Sequence, residues 1–206
     1  MVDKKCHKGW YRPRRLPHFD GAGVLQSITF RLADALPRRV VEEFRRELEL
    51  TEDEVQQRRL RRLIEDYLDA GYGSCLLSND HCAEIVLEEL LRSQQKYYDL
   101  CAWVIMPNHV HVLIQLYSEA SLPTIVGSWK RWSAKRINEL ASRQGRLWQT
   151  QFWDRYIRDE AHYQRTVNYI HDNPVKAGLA ATPEEWFWSS ANPRWNRSAE
   201  ARRAGR

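Results

Sequence analysis

Hydrophobic and polar positions alternate over short stretches of the chain and recur every three or four residues over longer ones. Residues 24–32, VLQSITFRL, are rich in β-branched and aromatic side chains and follow a Gly-Ala-Gly turn, which predicts a first strand. Pro37 opens a helical stretch in which Val40, Val41, Phe44 and Leu48 recur at helical spacing. Thr51-Glu-Asp-Glu54 has capping-box spacing and predicts the start of a second helix, with Leu60, Leu63, Ile64 and Leu68 on one face. Arg58, Arg59, Arg61 and Arg62 fall outside that stripe and read as a solvated face, and Gly71 and Gly73 end the region. Asn79 or Asp80 caps a third helix carrying Ile85, Val86, Leu90 and Leu91. Residues 100–106 and 109–117 predict two strands joined at Pro107-Asn108, a turn signal. A helix is predicted over 121–142, with Leu122, Ile125, Val126, Trp129, Trp132 and Ile137 on its apolar side, ended by Gly145. Residues 147–158 read as extended, and Asp159 caps a last helix that Asn173-Pro174 stops at about Asp172.

The order strand, helices, strand-strand, helix, strand, helix predicts an α+β fold of the ferredoxin-like class. Its antiparallel sheet is expected to carry its helices on one face, plus a helical insertion around residues 45–70. At 206 residues and 43% hydrophobic composition, the chain suits one domain with its own core. We expect a basic arm at 1–18, the folded domain at 19–190 and a basic tail at 191–206 that stays disordered. The four cysteines form no CxxC pair, which argues against a zinc knuckle or a thioredoxin-like site and fits reduced thiols. No secretory leader and no membrane-length apolar run is visible, so a cytoplasmic, nucleoid-associated protein is expected.

A net charge of +5 is weak evidence of a polyanion partner; its distribution says more. Lys4, Lys5, Lys8, Arg12, Arg14 and Arg15 crowd the N-terminus around Trp10 and Tyr11. Cations that pair with phosphates and rings that stack on bases suit a single-strand binding arm, and a solvated basic tail is the plain alternative. Lys130, Arg131, Lys135 and Arg136 line the helix at 121–142, and Arg155 and Arg158 are interleaved with Trp148, Phe152 and Trp153. These cations, with Lys176, are candidates for phosphate contact, while the rings suit core packing.

The sharpest chemical signal is His109-Val110-His111 within an apolar strand. Period-two alternation puts both imidazoles on one face, where they can chelate one divalent cation. Tyr169 and Asn173, spaced i and i+4, share a face of the last helix. Asn173 offers an oxygen ligand and Tyr169 a phenol that a cation would activate as a nucleophile. A core tyrosine and a helix-capping asparagine explain the same pair, and both readings stay open on spacing alone.

Three separated blocks resemble the REP-associated tyrosine transposases, domesticated relatives of single-tyrosine insertion-sequence transposases in the HUH endonuclease superfamily. They are RLPHFDGAGVLQSITFRL, MPNHVHVLI and WQTQFWDRYIRDEAHYQRTVNYIHDNPVKAGLA, and the similarity spans residues 9–190. The resemblance implies the HUH histidines at His109 and His111, the nucleophile at Tyr169 and a helix-borne polar ligand at Asn173. It implies Mg²⁺ or Mn²⁺ as cofactor and single-stranded DNA with palindromic, REP-like hairpins as partner. Cleavage would leave a covalent 5′-phosphotyrosine and a free 3′-OH. The insertion around 45–70 departs from the family and leaves hairpin docking and the choice of monomer or homodimer open. A histidine-triad nucleotide hydrolase would need a third histidine where Leu113 stands. A hairpin-binding protein that does not cut is the remaining alternative.

Overall fold

The computed structural model describes residues 8–13, 18–47 and 54–195. The main sheet has four strands: β3 (Leu25–Arg31), β4 (Tyr98–Ile105), β5 (His109–Leu116) and β6 (Trp153–Tyr156). Their order is β4–β5–β3–β6, and every neighbouring pair is antiparallel. This is the ferredoxin-like arrangement expected of the sequence. Before it, β1 (Gly9–Tyr11) and β2 (His18–Asp20) form a small ribbon that the hydrophobic pattern did not predict. Part of the expected N-terminal arm is therefore built into the fold. His18 Nδ1 bonds Asp154 Oδ1 on β6, and Phe19 N–H donates to Asp154 Oδ2 at 3.0 Å.

Helices α1 (Arg38–Glu47), α2 (Glu54–Asp69), α3 (Asp80–Arg92) and α4 (Leu122–Leu140) pack their apolar stripes with Ile28, Phe30, Val110, Val112 and Ile114. These strand residues share one sheet face because alternate side chains point the same way. The expectation of helices on one face holds for α1 to α4 and fails for α5 (Glu160–Lys176). Ile170 of α5 joins a second core with Ala102, Val104, Met106 and Leu113 on the opposite face. The β5 run is apolar at Val110, Val112 and Ile114 and again at Leu113, so both of its faces are buried.

α5 also runs past the expected stop, with Pro174 inside its last turn. Proline lacks only the N–H that would have met the Ile170 carbonyl, and the turn closes through Ala177 N–H to Asn173 O at 3.0 Å. Gly178, at φ +69°, supplies the left-handed residue that ends the helix. Asn79, one of the two caps expected for α3, accepts from His81 N–H and Cys82 N–H. Asp159 caps α5 by accepting from His162 N–H at 2.7 Å. The capping box expected at Thr51 lies outside the described residues.

The folded part continues past residue 190. Ser189 bridges Val104 on the outer strand β4, and Ile105 N–H donates to Trp188 O at 2.8 Å. Trp195 then packs edge-on against Trp103, with its indole N–H on Phe187 O at 2.6 Å. This segment covers the edge of β4, where unpaired backbone groups would otherwise be exposed. Residues 196–206 of the expected tail lie outside the described residues.

α4 is capped at long range. Ser121 precedes the helix but makes no side-chain capping bond, whereas Asp20 of β2 accepts from Leu122 N–H at 3.0 Å and from Ser121 Oγ at 3.2 Å. Asp20 also accepts from Lys8 N–H at 3.3 Å and is fully buried. Replacing Asp20 with Ala leaves buried donors unpaired and should cost about 1–3 kcal/mol of stability. Urea denaturation of the variant against the parent chain measures it; an unchanged midpoint would show that Asp20 does not cap α4.

Candidate active site

Thr29, Arg31, His109 and His111 lie on the sheet face that α5 covers. Register fixes this: Thr29 stands opposite His111, and Arg31 opposite His109. Both histidines are almost completely buried. Their rings meet edge to face, with centroids 4.7 Å apart.

Each imidazole is oriented by a neighbour. The Asn108 amide group donates to Leu68 O at 3.0 Å and to Tyr72 O at 2.9 Å. Those carbonyls fix which end of the carboxamide is nitrogen, so Asn108 Oδ1 must accept from His109 Nδ1–H at 2.7 Å. The His109 Nε2 lone pair then faces the site, with no hydrogen-bond partner. His111 Nδ1 bonds Thr29 Oγ1 at 2.8 Å, which leaves its Nε2 toward α5. Burial, then the nearby charges of His111 and Arg31, pushes the His109 pKa well below the usual histidine range. Burial and Lys176 lower His111 to about 3. Both rings are neutral at physiological pH, the protonation state of a metal ligand.

α5 brings the expected partners. The Asn173 Nδ2 group bonds His111 Nε2 at 3.4 Å, and the Asn173 oxygen is buried without a partner. The Tyr169 ring stands edge-on to His111 with centroids 5.4 Å apart, and its hydroxyl is likewise buried and unbonded. Three inward-facing orphan atoms, Nε2 of His109, Oδ1 of Asn173 and the Tyr169 hydroxyl, are expensive in a sealed core and fit a cation site. Among the described residues, no group of three or more His, Cys, Asp or Glu side chains could hold a metal ion, so a cation here would rest on the two imidazoles and the Asn173 carboxamide. Burial and the charges of Glu65 and Asp69 push the Tyr169 pKa far above its ordinary value. This phenol is no nucleophile without a positive charge nearby. Lys176 Nζ lies over the ring, 4.9 Å from its centroid.

Sequence reading missed two groups at this site. Arg31 lies beside His109, stacks on Trp153 with its guanidinium 4.8 Å from the ring, and donates from Nε to Gln149 Oε1 at 2.9 Å. Asp69, the last residue of α2, places Oδ1 3.6 Å from His109 Nε2. Nothing in the local pattern signals either, because Arg31 ends a strand and Asp69 ends a helix remote in sequence.

The cations assigned to DNA are scattered. Lys176 and Arg155 are exposed on the histidine side, Arg155 standing opposite Ser27 on that sheet face. Arg158 is exposed, its guanidinium 5.6 Å from the Tyr156 ring centroid, and Arg12 is exposed near the β1–β2 ribbon. Arg14 and Arg15 lie outside the described residues. Arg131 and Lys135 are exposed on α4, across the sheet from the histidines. Lys130 is turned inward, its ammonium on the carbonyls of Gln149 and Thr150, and burial lowers its pKa to about 8. Arg136 pairs with Glu88 and Glu89 of α3. The two are held within the fold rather than presented to a phosphate.

Residues 77–173, from just before α3 to Asn173, match the family described as Transposase IS200 like. Over that segment the chain is similar to the IS200-like transposases. A putative REP-associated tyrosine transposase of Haemophilus influenzae is 27% identical over 103 residues, 45% of this chain and 58% of that protein. The REP-associated tyrosine transposase of Escherichia coli K12 is 29% identical over 93 residues, 45% of this chain and 54% of its own length. The matches thus span little more than half the length of either relative. A solved REP-associated tyrosine transposase bound to a REP hairpin shares the fold, with a TM-score of 0.59 at 19% identity over 90% of this chain and 87% of that one. The IS200-like segment contains the whole His-His-Tyr-Asn set and excludes α2, so the Asp69 contact lies outside the matched region. No helix among the described residues is long and apolar enough to cross a membrane.

Asn108 holds the α2 end, the β4–β5 turn and His109 in one set of bonds. Its replacement by Ala strands two buried carbonyls and the His109 N–H, and should cost about 1–3 kcal/mol. Thermal or urea unfolding checks this, and a variant as stable as the parent would refute the bridging role.

Proposed function

We propose that the protein is a metal-dependent, single-tyrosine DNA strand transferase acting on single-stranded DNA that bears REP-like hairpins. The observation that carries this reading is the convergence, within one chain, of Tyr169 and Asn173 with the buried His109–His111 pair. Their orphan atoms fit a cation: His109, His111 and Asn173 would hold Mg²⁺ or Mn²⁺, which would supply positive charge to the scissile phosphate and to the phenolic oxygen. Tyr169 gives up its proton to solvent or to a neighbouring carboxylate, and its oxygen bonds to phosphorus as the bond to the 3′ oxygen breaks. That oxygen leaves as a 3′-OH after taking a proton, and the 5′ phosphate stays on Tyr169. The linkage conserves the phosphodiester energy, so attack by another 3′-OH rejoins the strand without ATP. Thr29 and Asn108 hold the imidazoles in register while Lys176 keeps positive charge at the phenol ring.

Binding a hairpin without cutting is the alternative function, and Tyr169 separates the two. With a labelled hairpin oligonucleotide and Mn²⁺, the parent chain should give a protein–DNA adduct that survives denaturing electrophoresis. Tyr169→Phe should abolish the adduct and keep hairpin affinity within about twofold, since only a hydroxyl is lost. Equal loss of affinity would make Tyr169 a binding or core residue.

The arrangement of cations makes a second test. Affinity should fall with salt, with a log-log slope of about −0.7 for each phosphate contacted on a single strand. Arg155→Ala should reduce the slope by about one such contact, and Lys130→Ala should leave it unchanged. A salt-independent affinity would remove the electrostatic part of the account.

A further inference from the structure

The last residue of β3 carries a charge that the fold fixes in place. Arg31 stands opposite His109 in the sheet register, so its partly buried side chain lies on the histidine face. Its Nε donates to Gln149 Oε1 at 2.9 Å, and its guanidinium lies over the Trp153 ring, 4.8 Å from the centroid. Both supports are themselves anchored. Gln149 N–H donates to Arg31 O at 2.9 Å. Gln149 Nε2 donates to Leu36 O at 3.2 Å, which turns the amide oxygen toward Arg31. Lys130 reaches from α4 to hold the carbonyls of Gln149 and Thr150. Trp153 stands opposite Thr29 on β6, on the same sheet face.

This clamp uses one nitrogen and one face of the guanidinium. Nη1 and Nη2 make no hydrogen bond to a described residue, and no carboxylate among the described residues pairs with the group. The arginines that brace the helices are treated differently: Arg92 and Arg136 share the buried Glu89. A cation taken partly out of water and given only a neutral amide and a ring is incompletely compensated until an anion arrives. The free end of Arg31 offers two N–H groups in a fork, the geometry that matches two oxygens of a phosphodiester. It offers them beside His109, whose Nε2 is unbonded. Arg155 is exposed farther along the same face and suits a neighbouring phosphate, whereas Arg31 stands at the chemistry.

We propose that Arg31 binds the phosphodiester that Tyr169 attacks, with Nη1 and Nη2 on its non-bridging oxygens. The inference rests on the strand-transfer reading above. No bond to Arg31 forms or breaks. Its charge opposes the charge on those oxygens while the Tyr169 oxygen replaces the 3′ oxygen on phosphorus. Because the guanidinium is already aimed, none of this stabilisation is lost to reorientation. Gln149, Trp153 and Lys130 are then positioning residues. Lys130 acts on the site through Gln149 without touching DNA.

The test compares the parent chain with Arg31→Ala and Arg31→Lys, using a saturating labelled hairpin oligonucleotide and Mn²⁺. Arg31→Ala should slow covalent adduct formation at least about a hundredfold, as removal of a donor aimed at reacting charge does. Hairpin affinity should stay within about fivefold, because the other phosphate contacts remain. Arg31→Lys should recover less than about a tenth of the parent rate, since an ammonium cannot make the fork. It also carries the comparison should Arg31→Ala fail to fold. Free guanidinium, kept below denaturing concentration, should raise the Arg31→Ala rate severalfold, and NaCl at equal concentration should not. A parent-like adduct rate in folded Arg31→Ala would overturn the assignment. So would a parent-like rate at saturation with a salt slope reduced by one contact, which would put Arg31 on a neighbouring phosphate. A slowed variant that guanidinium does not rescue would make Arg31 structural and also overturn it. No adduct from the parent chain would overturn the strand-transfer reading, and this inference with it.

Discussion

The site depends on one packing constraint: α5 lies on the sheet face to which His109 and His111 point. Strand alternation makes the two imidazoles neighbours but does not choose what they face. Ile170, packed with Ala102, Val104, Met106 and Leu113, makes that choice. Once it is docked, residues one position before it and three after it, Tyr169 and Asn173, come down over the histidines. A slip of one residue in β5 would put Val110 and Val112 under α5 and bury the imidazoles among the apolar helices. The register is held on both sides, by β3 and by β4.

Around this core the protein keeps acceptors apart from donors. Asn108 and Thr29 occupy the Nδ1 atoms, which leaves Nε2 of His109 unbonded and Nε2 of His111 against the Asn173 carboxamide. The neutral rings and the phenol with its raised pKa share a first cause, the removal of polar groups from water. Lys176 places its ammonium over the Tyr169 ring.

Much of this was legible in the sequence. The central strands, the His-Val-His alternation and the i, i+4 pair on α5 all follow from local periodicity, and the structure joins them. What escaped was set by contacts distant along the chain. The β1–β2 ribbon is too short to show a period. Asp20 caps α4 from about a hundred residues away, although Ser121 occupies the expected position. Pro174 suggested a stop one turn early, because its missing N–H is tolerated where α5 is about to end. Arg31 and Asp69 reach the site from element ends whose direction only the packed fold determines. Lys130 and Arg136 read as solvated cations on a basic helix, yet the backbone of residues 149–150 and the α3 carboxylates take them.

The central claim is that one phenol, delivered by the protein's own α5, becomes the covalent carrier of DNA. The most direct measurement is mass spectrometric mapping of the adduct formed with a hairpin oligonucleotide and Mn²⁺, after nuclease and protease digestion. The account predicts a nucleotide-modified peptide from α5 with the modification on Tyr169. Modification of another tyrosine, or no covalent adduct from a chain that binds both the hairpin and the metal, would contradict it.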